Sequence, residues 1–320
     1  MSNQMQADNQ TFIRIGQALE EIIVGQSEII QQLLVGLLSG GHIILEGVPG
    51  TGKTLLLKAL SKLIQADFCR IQLTPDILPS DILGTNIFDV NSSDFYLKRG
   101  PIFTQILLAD EINRTPPKAQ AALLEAMQEQ QVTLDGKTLP LSDFFWVIAT
   151  QNSLEFEGTY PLPEAQLDRF LFKLCIDYPK RDLEKQMLLN FQTKYKGESL
   201  DIEELQPEAT VEQILLARQA IKQVKVEENV LDYLLDLAAK TREDSDLNLG
   251  ASPRAAVMWL QTSKAKAWLA GKNYVTPDDV KSLALPLLRH RLILNSEAQL
   301  DGVTSQEVIE KLLKQVPVPR

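Results

Sequence analysis

Short apolar runs alternate with helical patterns through the first half of the chain. Five of these runs have the length of buried strands, and they cover residues 42–46, 68–73, 103–109, 144–150 and 170–176. Strands that alternate with helices favour a mainly parallel sheet with helices on both faces. The pattern therefore predicts an α/β domain built on a five-stranded parallel sheet.

The second half of the chain shows helical periodicity. Helices are predicted at residues 211–222, 228–240, 253–270, 277–288 and 305–315. A charged stretch separates them from the last predicted strand and marks a linker at residues 196–209. We therefore predict one domain at 1–195 and a second, all-α domain at 210–320.

Two pairs of short alternating runs predict β-hairpins. Asp135 and Gly136 separate one pair, and an Asp-Gly dipeptide is a strong signal for a two-residue turn, so a hairpin is predicted at about 131–140. A similar alternation at residues 86–90 and 95–98 predicts a second pair of strands. Hairpins that project from a rigid sheet are candidate contact points for partners.

The composition is that of a globular protein with a sizeable core. The chain has 320 residues, 44% of them hydrophobic, and a net charge of −10. The polar start MSNQMQADNQ does not read as a leader, and no apolar run approaches the length of a membrane span. Cys69 and Cys175 lie far apart within apolar segments, as expected of reduced thiols. We therefore expect a cytoplasmic protein without membrane insertion, and the acidity argues against broad nucleic-acid binding.

The stretch GVPGTGKT at residues 47–54 lies where the first predicted strand gives way to a helix. Its spacing is that of a phosphate-binding P-loop, in which backbone N–H groups wrap a polyphosphate and the next helix directs its positive end at the anion. A ligand-free turn is the alternative, but the full pattern in a strand-loop-helix context rarely arises by accident. The candidate nucleotide-binding residues are Gly47, Pro49, Gly50, Thr51, Gly52, Lys53 and Thr54.

Two adjacent acids, Asp110 and Glu111, follow the third predicted strand. The carboxyl ends of parallel strands converge on a ligand crevice, so both carboxylates are expected near the P-loop. Asp110 can hold Mg²⁺ together with the Thr54 hydroxyl, and Glu111 can orient and deprotonate an attacking water. A solvated strand end is the alternative, but the P-loop upstream favours the functional interpretation.

Asn152 follows the fourth predicted strand, at the same edge of the sheet. A neutral amide there can hold the attacking water or contact a terminal phosphate without adding repulsion. Asn is also an ordinary turn former. Its position favours the functional role.

Two arginines lie away from this edge in the sequence pattern. Arg169 stands at the start of the fifth predicted strand, about six residues or roughly 20 Å from the phosphate crevice. It is therefore either a surface ion-pair partner of Asp168 or a finger inserted into a neighbouring subunit's site. Arg254 follows Ser252 and Pro253 at a predicted helix start, where the helix dipole makes a positive charge unfavourable unless it pairs with a nearby anion. A solvated arginine is the alternative there.

Taken together, the segments GVPGTGKT, LLADEINR, VIATQN, EGTYPLPEAQLDRF and GASPRA resemble the MoxR family of AAA+ ATPases, and the resemblance spans nearly the whole chain. It implies an α/β P-loop NTPase core at 1–195 and a helical lid at 210–320. Residues 81–102 look like the insert in helix 2 that marks this clade, and residues 131–140 look like the hairpin before sensor 1. Ser153 departs from the pattern, because relatives usually carry proline there.

The resemblance also implies roles for individual residues. Val24 and Gly25 would lie near the adenine of ATP, and Asn152 would be sensor 1. Arg169 would be the arginine finger, and Arg254 would be sensor 2. ATP and Mg²⁺ are the implied cofactors.

These features lead to the hypothesis of a Mg²⁺-dependent ATPase that assembles into a hexameric ring and remodels or matures protein complexes. Lys53 would neutralise the terminal phosphates. The family resemblance points to partners with von Willebrand factor A domains. One alternative is a nucleic-acid motor of the ring-helicase type, which the hairpin tip with Asp135 and a single Lys137 disfavours. Another is a nucleotide-gated scaffold with little turnover of ATP, which the presence of Glu111 disfavours.

Overall fold

The structure is a computed structural model, and it describes residues 8–91, 93–152, 158–194 and 202–319. Ser153 and residues 196–201 of the predicted linker lie outside these ranges.

The described residues form helices and strands in alternation up to residue 194 and mainly helices after it. The strands are β1 (Ile43–Gly47), β2 (Phe68–Gln72), β3 (Gly84–Asp89), β4 (Asp94–Arg99), β5 (Ile106–Asp110), β6 (Gln131–Leu134), β7 (Lys137–Pro140), β8 (Trp146–Gln151), β9 (Phe172–Ile176), β10 (Leu247–Leu249) and β11 (Ile293–Leu294). The helices are α1 (Asn9–Ile22), α2 (Ser27–Ser39), α3 (Lys53–Leu63), α4 (Pro79–Leu83), α5 (Pro117–Glu129), α6 (Glu164–Leu167), α7 (Arg181–Lys194), α8 (Val211–Lys222), α9 (Glu228–Glu243), α10 (Pro253–Leu269), α11 (Pro277–Leu288), α12 (Ser296–Leu300) and α13 (Ser305–Gln315).

Five strands form a parallel sheet in the order β2-β5-β8-β1-β9, which confirms the predicted five-stranded sheet. Three predicted strand starts were too early. Phe103, Phe144 and Phe170 precede β5, β8 and β9 by two or three residues. Phe144 and Phe170 are fully buried where they lie, so hydrophobicity marks the core there without marking the strand.

Successive residues of the central strands face opposite sides of the sheet, as the pleat requires. Leu45 and Ile148 belong to the core that includes α1, α2, α3 and the later helices. Ile44 and Val147 belong to the core that includes α5. Because both faces are covered, these strands read as continuous apolar runs in the sequence.

The helices from α8 onward form a lid that packs against the sheet domain. α10 contacts α2 and α1, and α11 contacts β9. Trp259 is fully buried, and its indole N–H donates to the carbonyl of Val280 at 2.8 Å. All five predicted lid helices are present, with α9 running three residues further than expected. The lid also contains a short antiparallel pair, β10 and β11, which the all-α prediction did not include.

Both predicted hairpins are present. β6 and β7 pair across Asp135 and Gly136, whose φ angles of 50° and 78° suit a two-residue turn. β3 and β4 form the second hairpin, in the segment that resembles the helix-2 insert. The Asn86 side chain donates to the Asp135 carboxylate at 2.6 Å, so the two hairpins touch.

None of the described helices is long and apolar enough to cross a membrane.

Candidate functional site

The P-loop forms the turn between β1 and α3, at the carboxyl end of the sheet. At Gly47 a Cβ would lie 2.3 Å from the carbonyl oxygen of Ile176, so a larger residue does not fit. Gly50 and Gly52 have φ angles of 82° and 81°, which glycine adopts without strain. α3 begins at Lys53, so its first free N–H groups face the loop. The result is a cradle for an anion.

A cavity of about 450 Å³ opens between the P-loop and the ends of β5 and β8. Its wall consists of Gly47, Pro49, Gly50, Thr51, Gly52, Lys53, Thr54, Leu55, Arg70, Asp110, Glu111, Thr150, Gln151 and Asn152. The structure thus brings the predicted phosphate-binding residues, both acids and Asn152 into one place. Arg70 and Thr150 belong to the same wall, and the sequence reasoning missed both.

Lys53 lies folded back onto its own loop. Its ammonium donates to the carbonyls of Gly47 and Val48, each at 2.8 Å. Burial lowers the pKa of Lys53, and the nearby charges of Asp110 and Glu111 act in the opposite direction. A partly desolvated cation therefore lies inside the cradle, where a phosphate would neutralise its charge.

Asp110 is held by two protein donors. The Thr150 hydroxyl donates to Oδ1 of Asp110. Arg70 donates to Oδ2 from Nε at 3.0 Å and from Nη2 at 2.6 Å. These contacts follow from strand order, because β5 lies between β2, which carries Arg70, and β8, which carries Thr150. No spacing along the chain indicates them.

Glu111 leaves the strand through an unusual backbone conformation. Its φ is 61°, in the left-handed region, where a residue with a side chain is strained by roughly 1–3 kcal/mol. Its N–H donates to the Thr150 hydroxyl at 2.9 Å, and its carboxylate pairs with Arg114 at 3.1 Å. The turn places this carboxylate in the cavity wall beside Asp110.

Val24 and Gly25 lie outside this wall. A Cβ at Gly25 would meet the Leu183 side chain of α7 at 2.9 Å, and Ile23 lies 3.4 Å from the Cβ position of Gly52. The segment therefore lies beside the P-loop, packed between it and α7. The role near an adenine remains a prediction.

Arg169 and Arg254 lie together at the opposite edge of the sheet. Arg169 is in the turn after α6, three residues before β9, so the prediction that it begins the strand was wrong. Both arginines line a separate cavity of about 190 Å³ with His42 and Gly41, which precede β1. Arg254 is exposed near the start of α10. Neither arginine belongs to the P-loop cavity wall.

Asp168 pairs with Arg291 rather than with its neighbour Arg169. The distance from Nε of Arg291 to Oδ1 of Asp168 is 2.8 Å, and the Arg291 side chain is 2% exposed. The guanidinium also donates to the backbone carbonyls of Phe170 and Leu171. The structure thus gives Asp168 a partner other than Arg169, and it ties the lid to the segment that carries Arg169.

Comparison with known families follows this division of the chain. Residues 42–172 match the ATPase family associated with various cellular activities (AAA), and residues 239–312 match the AAA lid domain. The fold and the cavity therefore define an AAA-type P-loop ATPase domain followed by a helical AAA lid.

Similar proteins identify the family within this class. Chaperone MoxR1 of Mycobacterium tuberculosis is 38% identical, over 94% of this chain and 81% of that protein. Uncharacterized protein YeaC of Bacillus subtilis is 44% identical over 95% of each chain. A crystal structure from Cytophaga hutchinsonii, of a protein named as a candidate ATPase, matches with a TM-score of 0.89 and 39% identity, over 98% of this chain and 96% of that one. The chain belongs to the MoxR family of AAA+ ATPases.

Proposed function

We propose that this protein is a Mg²⁺-dependent ATPase that works as an oligomeric ring, a hexamer, and remodels or matures protein complexes. The observation that carries the proposal is the cavity in which the P-loop, Asp110, Glu111 and Asn152 meet. The catalytic core comprises residues 1–195, and the linker at 196–209 joins it to the lid at 210–320.

The residues of the cavity fit a nucleotide with its metal. At Gly50, a Cβ position has nothing within 4 Å, so the cradle leaves space for a phosphate group. Thr54 and Asp110 offer a hydroxyl and a carboxylate, which are oxygen ligands of the kind that Mg²⁺ prefers. When bound, Mg²⁺ supplies charge neutralisation and orients the phosphate oxygens.

The side chains of the cavity divide the remaining work. Lys53 leaves the loop carbonyls and places its charge on the terminal phosphates. Glu111 accepts a proton from the attacking water, and Asn152 holds that water or the terminal phosphate through a neutral amide. The Glu111 carboxylate must leave Arg114 to do this, and a half-exposed ion pair of this kind is weak enough to exchange.

Arg169 and Arg254 serve the site of a neighbouring subunit. The five residues of β1 separate their cavity from the P-loop, a distance of roughly 16 Å. Arg291 lies buried near them and is paired with Asp168, and burial lowers its pKa, with a smaller lowering from the charge of Arg254. Two arginines that line one cavity can bind an anion, and the phosphates of a neighbour's nucleotide supply one. Assembly then completes the catalytic site.

The biological role follows from relatives and from surface chemistry. Its relative in Mycobacterium tuberculosis is named a chaperone, and we extend that role to this chain, with von Willebrand factor A domain proteins as partners. The acidic hairpin tip at Asp135 offers no attraction to nucleic acid, so we expect protein clients. The free thiols of Cys69 and Cys175 support a cytoplasmic location.

Steady-state phosphate release from ATP tests the activity, with Glu111→Gln as the variant. Gln keeps an oxygen that can accept from Arg114 but cannot take a proton, so turnover is expected to fall roughly 10²- to 10⁴-fold. Nucleotide affinity should stay within about threefold, because the base contributes to the transition state rather than to binding.

Glu125→Gln, an exposed acid on α5, is the matched control and should leave turnover unchanged. A wild-type protein that binds ATP tightly and releases no phosphate under any condition would show a scaffold instead of an enzyme. A Glu111→Gln variant as fast as the wild type would remove the assignment of the base.

A further inference from the structure

We propose that Arg70 is a phosphate-binding residue of the nucleotide site. It stays paired with Asp110 until a metal binds that carboxylate. The inference rests on the proposed ATP site and adds a cation that acts within the same subunit. It is distinct from Arg169 and Arg254, which line the cavity at the other edge of the sheet.

Arg70 reaches the cavity from the edge strand of the sheet. It lies on β2, opposite Leu108 of β5, and Gln72 is the residue that pairs with Asp110 in register. The Arg70 side chain runs along the strand toward the carboxyl edge, where Nη2 also donates to the Gln72 side chain at 2.9 Å. Arg70 is thereby aimed at the phosphate cavity and forms part of its wall.

The contact with Asp110 and a metal at the same oxygen exclude each other. A carboxylate oxygen has two lone pairs, and both Nε and Nη2 of Arg70 donate to Oδ2. Oδ1 accepts the Thr150 hydroxyl and keeps one of its two lone pairs. A cation that binds Oδ2 of Asp110 must therefore displace Arg70.

The displaced guanidinium is able to bind phosphate. Arg70 is 46% exposed, so its pair with Asp110 is not locked by packing, whereas Asp110 is 13% exposed. Among the described residues none accepts a hydrogen bond from Nη1, which leaves part of the planar fork available. Guanidinium forks suit phosphate oxygens, and Arg70 lines the same cavity as the P-loop, where the phosphates of a nucleotide would lie. Arg70 thus exchanges one anion for another within a single step of binding.

The test is isothermal titration of Arg70→Gln with ADP and with a nonhydrolysable ATP analogue, each in Mg²⁺ and in EDTA. In Mg²⁺ the variant should bind the triphosphate analogue about tenfold more weakly than the wild type, because a charge-assisted hydrogen bond is lost. Its affinity for ADP should stay within about twofold of the wild-type affinity. In EDTA Arg70 stays on Asp110, so the substitution should change either affinity by less than twofold. Arg70→Lys, which keeps the charge without the fork, should retain more of the triphosphate preference than Arg70→Gln.

Arg14→Gln is the matched control, because Arg14 is a half-exposed arginine paired with Glu208 at 3.0 Å, away from the cavity. Thermal unfolding of each variant confirms that it folds. Equal losses for ADP and the triphosphate analogue, a loss that persists in EDTA, or no loss at all would overturn the role of Arg70. A wild-type protein that binds neither nucleotide would instead overturn the proposed function itself.

Discussion

At the scale of single residues, the charged groups of the nucleotide cavity hydrogen-bond to or pair with other groups of the same protein. Lys53 donates to the carbonyls of its loop, Asp110 pairs with Arg70, and Glu111 pairs with Arg114. Under the proposed function, a nucleotide with its metal would replace these contacts one by one. Binding is therefore an exchange of partners, and each exchange is a place where the two nucleotides, ATP and ADP, can be distinguished.

How far the sequence predicts the site depends on which contacts lie along the chain. Lys53 and Asp110 follow from the P-loop spacing and from an apolar strand that ends in acids, because both signals are local. Arg70 and Thr150 contact Asp110 across β2, β5 and β8, so their role depends on strand order. Period-two alternation shows which face a residue occupies but not which strand lies beside it.

His42 provides a test of pH dependence at the residue scale. It is buried, its Nδ1 accepts from the Val147 N–H at 2.9 Å, and its Nε2 donates to the carbonyl of Met127 at 3.1 Å. Burial lowers its pKa from 6.5 to about 4. The unfolded chain therefore binds a proton at a higher pH than the folded protein, so this stabilisation is complete above about pH 6.5 and is lost as the pH falls toward 4.

His42→Gln should flatten the acid side of the stability curve. Between pH 7 and pH 5, the free energy of unfolding should fall about 2 kcal/mol less in this variant than in the wild type, measured by urea unfolding. Lys137→Gln, an exposed change on the hairpin, should keep the wild-type slope. Parallel slopes for His42→Gln and the wild type would show that folding does not lower the pKa of this histidine.

At the scale of elements, the lid is attached beside Arg169 and Arg254, the arginines proposed to serve a neighbouring subunit's site. β9 and α11 are in contact, and Arg291, three residues after the end of α11, pairs with Asp168 and donates to the carbonyl of Phe170. The sequence predicted the lid helices well because their caps are local: Thr210 and Thr304 each form a capping box. It did not predict the bond between Arg291 and Asp168, which joins residues 123 positions apart.

The Asp168 pair should dominate the stability of this junction. Asp168→Asn leaves the buried Arg291 guanidinium without its carboxylate, and the expected loss in unfolding free energy is about 2 to 3 kcal/mol. Glu243→Gln is the control, because Glu243 is exposed and lies 3.7 Å from Lys240, and it should cost less than about 0.5 kcal/mol. Urea unfolding followed by tryptophan fluorescence measures both. Equal midpoints for the two variants would mean that the buried pair contributes nothing beyond a surface contact.

At the scale of the whole molecule, two cavities lie at opposite edges of one sheet, and the proposed function makes them complementary halves of one reaction centre. The P-loop cavity lies at the carboxyl edge, and the cavity with Arg169 and Arg254 lies at the other. A single chain cannot bring them together without unfolding the sheet between them. Two chains in the proposed ring would bring them together if each presented one edge to its neighbour.

Mixing two inactive variants tests most directly whether two neighbouring subunits complete one catalytic site. Lys53→Ala removes the phosphate cradle's cation, and Arg169→Ala is expected to lower turnover on the order of 10³-fold by removing the finger. If the finger acts in trans, rings that contain both variants recover phosphate release, because a Lys53→Ala subunit supplies Arg169 to the intact cradle of its neighbour. A mixture no faster than the average of its two components, or an Arg169→Ala protein as fast as the wild type, would contradict the account.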